Sequence, residues 1–288
     1  SWHIWFPEEN VKTVTAKSGY EVMNMNLGAM TSTFGSAPDV KPYGLLYQWG
    51  RKDPFPSAPS LTGNEKTQPV PVYGPDGAEV KITYSLWSSV ENNTIEYSIA
   101  NPTKCLSNYA QYNTSRDWLK TSDSNDALWG NPKGGERNSD NNYVNKGSKS
   151  FYDPCPVGYR VPPADVFRTF TTTGGYTQDP SSFDVVDVNG DGVIDAKDYN
   201  YGWSFNMKEG SLFFPAAARY DGSYAMLMGS KSGLWGSYWG NSPAKSYGAT
   251  TGFGFCVLAF MNEAAGTSVS ATASAGRADA YSIRCIKE

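Results

Sequence analysis

The sequence predicts a single α+β domain over residues 1–288. Three observations point there: strand-like alternation gathers toward both ends of the chain, helix signals are few and short, and no repeat or composition shift divides it. Glycine at 29 positions and proline at 18 cut the chain into brief elements joined by long loops. A chain of 288 residues can bury a substantial core.

The elements follow in order. Residues 1–6 (SWHIWF) alternate, with Trp2, Ile4 and Phe6 on one side, and predict an opening strand that carries His3 as a hydrogen-bonded residue. Residues 20–27 (YEVMNMNL) predict a second. Residues 43–50 (YGLLYQWG) form an apolar aromatic run closed by Arg51-Lys52-Asp53-Pro54, and a proline-punctuated loop follows. Residues 80–86 (VKITYSL) read as a hairpin arm. Two short helices are expected: one capped by Thr114 or Ser115 and carrying Trp118 and Leu119, the other running from Pro162-Pro163 to Phe170. Between them, residues 131–150 read as a solvated surface loop. Residues 212–214, 252–260 and 281–286 return to extended structure, and residues 264–279 read as a small-residue connector.

Composition narrows the function. With 24 basic against 28 acidic residues the formal charge is −4, without the basic footprint that nucleic acid requires. A single histidine leaves little room for His-dependent triads or multi-His zinc sites. No window approaches a membrane span, so direct membrane insertion is not expected, and the chain reads as an excised piece of a longer protein. Cys105, Cys155, Cys256 and Cys285 are widely spaced without a C-x-x-C. Structural disulfides in an oxidising compartment or buried thiols both fit, and spacing alone does not choose among the pairings.

One segment carries explicit chemistry. In residues 187–198 (DVNGDGVIDAKD), side-chain oxygens fall at Asp187, Asn189, Asp191, Asp195 and Asp198, with a Val193 carbonyl between them and Gly192 at the sharp turn. That spacing is an EF-hand-type calcium loop, within an insertion spanning residues 184–200. It resembles the loop of dockerin modules in ending on Asp198 rather than Glu. An uncomplexed Asp/Asn/Gly surface turn is the alternative. Calcium is the expected cofactor, in a structural role.

The segments NLGA (26–29), YGLLYQWGRKDPF (43–55), YDPCPVGYRVPP (152–163), FFPAAARY (213–220), GSYW (236–239) and SIRCIKE (282–288) occur in this order. Together they resemble the large C-terminal domain of Bacteroidetes fimbrillin-type surface proteins, related to the Fibrobacter succinogenes major paralogous domain. The resemblance implies a C-type lectin-like α+β fold with long loop insertions, and a disulfide between Cys155 and Cys285, with Cys105 and Cys256 as a possible second pair. It also implies display outside the cell, on the surface or a fimbrium, beside other pilus or surface-protein domains. The expected function is non-enzymatic adhesion to a glycan or protein receptor. A glycan-capture module of a polysaccharide-utilisation system is the alternative, and a formylglycine-generating-like enzyme a more distant one. By that resemblance, ligand contacts fall in residues 221–251, where Tyr224, Trp235, Tyr238, Asn241, Lys245 and Tyr247 supply aromatic area and adaptable hydrogen bonds.

Overall fold

The structure, a computed structural model, describes residues 3–36, 38–62, 72–74, 76–80, 82–85, 93–107, 117–120, 125–140, 142–222, 226–244, 253–264 and 266–288. The first strands are β1 (Thr13–Thr15), β2 (Glu21–Met23), β3 (Leu45–Gln48), β4 (Phe55–Pro56), β5 (Val72–Tyr73), β6 (Glu79–Val80) and β7 (Thr83–Ser85). After the helix α1 (Ile95–Ala100) come β8 (Lys104–Leu106), β9 (Tyr159–Arg160), β10 (Tyr176–Thr177), β11 (Gly202–Asn206), β12 (Ser211–Pro215), β13 (Tyr220–Asp221) and β14 (Met226–Leu227). The chain closes with β15 (Trp235–Ala244), β16 (Phe253–Glu263), β17 (Gly266–Ser270), β18 (Ser274–Gly276), β19 (Ala280–Ser282) and β20 (Ile286–Lys287).

This is a β-rich protein, which corrects the α+β, lectin-like expectation. Among the described residues, strands account for 30% and helical turns for 8%, with one α-helix. The Pro162 segment makes i→i+3 turns ending in a three-ten turn at Arg168–Phe170. Thr171-Thr172-Thr173-Gly174-Gly175 follows at once, and β-branched residues and glycine do not extend a helix. Thr114 and Ser115 lie outside the described residues, and Trp118 and Leu119 sit in a buried bend. The one α-helix is elsewhere: the Thr94 side chain accepts from the Tyr97 amide and caps a turn and a half ended by Asn101. Residues 3–6 form no strand, and His3 Nε2 lies 3.5 Å from Asp53 Oδ1. Burial lowers the His3 pKa, with Asp53 opposing it.

Two sheets dominate. A four-stranded sheet in the order β1-β2-β20-β9 brings early and late segments together, with Val22 opposite Ile286. A ten-stranded sheet has the path β10-β17-β16-β15-β19-β13-β14, with β18 beside β16 and β3 beside β19. The small-residue stretch read as a connector therefore contains β17 and β18. Its Thr267-Ser268-Val269-Ser270 alternation places only Val269 in the core.

The large sheet is covered unevenly. On one face Tyr238, Phe260 and Val269 pack with Phe205, Phe214, Phe167 and Phe170 from the β11–β12 hairpin and the Pro162 segment. On the other, among the described residues, it is the later half of β15 that is covered. There Trp239 joins Trp49, Trp118, Trp129 and Tyr281, and indole nitrogens of Trp49, Trp118 and Trp239 donate to the carbonyls of Gly240, Trp49 and Tyr47.

Five of the six resemblance segments meet at Arg284 or at its partner Asn26. The Arg284 guanidinium is fully buried and donates to Asn26 Oδ1 at 3.0 and 2.7 Å, to the Phe213 carbonyl at 2.8 Å and to the Met23 carbonyl at 3.4 Å. It lies 4.2 Å over the Phe214 ring, and burial lowers its pKa to about 10. Asn26 also donates to the Tyr43 carbonyl and to Tyr238 Oη. Cys155 and Cys285 form a disulfide, closing a loop with a sequence separation of 130. The chain-entropy model assigns a link of that span about 5 kcal/mol. Cys105 is a free, buried thiol, so it forms no second bridge, and the side chain of Cys256 lies outside those described.

Replacing Arg284 with Leu keeps most of the volume but leaves Asn26 Oδ1 and two carbonyls without donors. Stability is expected to fall by about 3 kcal/mol or more. An unchanged urea midpoint would show that this guanidinium does not hold the motifs together.

Candidate functional site

Where the tryptophan cluster ends, the same sheet face opens as a groove of about 300 Å³. Strand alternation and register build it. Trp235 on β15 faces Met261 on β16, which faces Ser268 on β17. Two residues along, Ser237 faces Ala259, which faces Ser270, which faces Tyr176 on β10. Directly opposed residues share a face, so these two rows form one surface across four strands. At about 4.8 Å per strand, the row from Ser237 to Tyr176 spans roughly 14 Å.

Small side chains make the floor and large ones the walls. Tyr176 is 60% exposed at one end. At the other, Trp235 is flanked by two cations, with the Arg219 guanidinium 4.8 Å and the Lys231 ammonium 4.6 Å from its ring centre. Its indole N–H donates to Glu263 Oε1 at 3.0 Å, and Lys231 Nζ donates to the same oxygen at 2.7 Å. Arg219 follows Ala218, a buried non-glycine residue at φ 62° whose amide donates to the Trp235 carbonyl. That uncommon backbone conformation sits directly at the groove wall. The guanidinium lies 3.7 Å from Asp221 and donates to Tyr281 Oη at 3.5 Å. Beneath it, Asp279 accepts from the Gly222 amide at 2.6 Å and the Tyr281 hydroxyl at 2.8 Å. Burial raises the Asp279 pKa, against the nearby charge of Arg219. On the floor, the hydroxyls of Ser237, Ser268 and Ser270 have no hydrogen-bond partner among the described residues.

The sequence-predicted contact residues divide. Trp235 is half-buried at the groove wall. Tyr238 and Asn241 are fully buried and are core residues rather than contacts. The Tyr238 hydroxyl donates to the Pro215 carbonyl at 2.7 Å, and burial raises its pKa to about 12. Asn241 donates to the Val161 carbonyl and accepts from Asn131. Tyr224, Lys245 and Tyr247 lie outside the described residues. Tyr176, Ser237, Ser268 and Ser270 escaped the sequence reading; the signal available for two of them was the alternation in residues 267–270.

The acidic loop lies apart from these groove-lining residues. Asp187 accepts from the Gly190 and Gly192 amides, each at 2.7 Å, while Asn189 and Asp191 accept from the amides two residues on. Gly192, at φ 80°, supplies the left-handed turn. Asp195 caps a three-ten turn at Ala196–Asp198, and Asp198 returns the bond as a capping box. Asp198 is buried and also accepts from the Val188 and Asn189 amides, whereas Val193 is exposed. Lys197 Nζ lies 3.4 Å from Asp191 and 3.2 Å from Asp195, and its backbone amide, then its ammonium, hold the Asp195 carboxyl below the usual range. Among the described residues no three His, Cys, Asp or Glu side chains gather as a metal-holding group. The donor set nonetheless has the hard-oxygen chemistry that calcium takes.

No protein family, curated protein or solved structure matches the chain. Among the described residues, no helix is long and apolar enough to cross a membrane.

Gly236 shows how closely the groove and core share β15. A Cβ there would stand 2.1 Å from the Phe260 ring on the core face. Gly236→Ala is expected to cost roughly 1–3 kcal/mol, read as a lower thermal midpoint; an unchanged midpoint would mean that the Phe260 ring has room to move.

Proposed function

We propose that this is a non-enzymatic ligand-binding domain of a bacterial surface or pilus protein, of the Bacteroidetes kind its motifs resemble. Its receptor, a glycan or a protein, binds in the groove between Tyr176 and Trp235. One observation carries this reading: three hydroxyls without a hydrogen-bond partner among the described residues lie on a floor of small side chains between an exposed aromatic ring and an aromatic wall. Ligand pockets combine apolar walls with a few convergent polar groups in this way. Burial pushes the Cys105 thiol pKa up to about 12, which disfavours a thiolate nucleophile at that residue.

An array of host and dietary glycans and mucosal proteins is expected to give signals that Tyr176→Ala and Trp235→Ala both abolish. Signals that survive both substitutions would exclude the groove as the receptor site.

Calcium is the ion we assign to residues 187–198, held by Asp187, Asn189, Asp191, Asp195, Asp198 and the Val193 carbonyl, with Lys197 giving up its place beside Asp191 and Asp195. Its role is structural, within the insertion of residues 184–200. Calcium at a hundredfold excess over its dissociation constant is expected to add about 2.7 kcal/mol of stability. A melting temperature indifferent to both calcium and chelator would refute the assignment.

A further inference from the structure

We infer that the groove takes an uncharged oligosaccharide laid across the strands. The inference rests on the groove being the receptor site and names the class of ligand.

Charge comes first. The Arg219 guanidinium faces Asp221 at 3.7 Å and the buried Asp279 below it, while Lys231 and the Trp235 indole share Glu263. A sialylated, uronic or sulfated ligand would have to compete for Arg219 with Asp221, 3.7 Å from the guanidinium. A cationic ligand would have to displace Lys231 from Glu263 at 2.7 Å. The cations and carboxylates at this wall thus satisfy one another, and neither sign is offered to a ligand.

What the groove does offer is neutral. Each serine hydroxyl can both donate and accept, as can each hydroxyl of a sugar. Ala259, Met261, Ala273 and the Tyr176 ring supply apolar area for the C–H faces of pyranose rings. The row of roughly 14 Å suits two or three such rings.

An extended peptide fits less well. Strand addition requires an open edge, but β15, β16 and β17 each pair with strands on both sides, and the open edge of the path, at β10, is only 2 residues long. A peptide would lie on the floor without backbone partners there.

The test titrates the purified chain calorimetrically with neutral tetrasaccharides (cellotetraose, maltotetraose and mannotetraose) and with 3′-sialyllactose and a heparin tetrasaccharide. The variants are Tyr176→Ala and the double variant Ser268→Ala/Ser270→Ala. Because Tyr176 is exposed and the two hydroxyls bond no described protein atom, both variants are expected to melt with the wild type. The expected result is that a neutral tetrasaccharide binds, changes affinity less than about twofold between low and high salt, and loses about tenfold in each variant. Binding of only the acidic saccharides, abolished by Tyr176→Ala, would overturn the inference and leave the groove as the receptor site. Binding of a protein but no saccharide, again dependent on Tyr176, would do the same. Saccharide binding unchanged in both variants would overturn the inference and the groove together.

Discussion

A buried positive charge with no carboxylate partner among the described residues organises this protein. Arg284 is sealed from solvent and is held by an asparagine oxygen, two backbone carbonyls and the face of Phe214. Burying an ion is costly unless every donor is met, and the acceptors come from segments far apart in the chain. Asn26 belongs to the NLGA segment, Phe213 and Phe214 to FFPAAARY, Tyr238 to GSYW, and Arg284 to SIRCIKE. The ordered motifs that suggest a surface-protein family are therefore, in large part, a packing signature. They specify how the chain closes.

The course of β15 explains where the groove lies. The strand β15 presents Tyr238 to the core of phenylalanines and, after the register shift between Tyr238 and Trp239, sends Trp239 into the tryptophan cluster on the other face. Before that shift the second face has no covering layer among the described residues. Serine, alanine and methionine take the place of large aromatics, and a depression remains. The same strand is thus core on both sides at one end and a half-open platform at the other.

Legibility in the sequence followed the same division. The strand containing Phe214 was readable, and residues 43–50 were readable as an apolar run though not as a strand, because such runs bury residues that have nowhere else to go. The Cys155–Cys285 bond was readable only through resemblance, since spacing does not choose among pairings. The helix at Pro162 was misread because three apolar residues within one turn satisfy a three-ten segment as well as an α-helix. Tyr238 and Asn241 were misplaced for a related reason: aromatic and amide side chains suit recognition and buried networks equally, and only the register tells which face each occupies. The groove itself was hidden, because it depends on opposing residues from β10, β15, β16 and β17, and small serines in a glycine- and alanine-rich stretch carry no periodic signal beyond Val269.

The sulfur bridge also has a mechanical meaning. Tension along the backbone that arrives at Cys155 passes through sulfur to Cys285 and skips a sequence separation of 130. Roughly 440 Å of contour is thereby kept off the load path. Strands β9 to β19, with every residue of the groove, lie inside that bypass. A pull on the chain would be borne covalently by the segment before Cys155 and the few residues after Cys285, and would reach the sheet of the platform only through non-covalent contacts such as the pairing of β3 with β19.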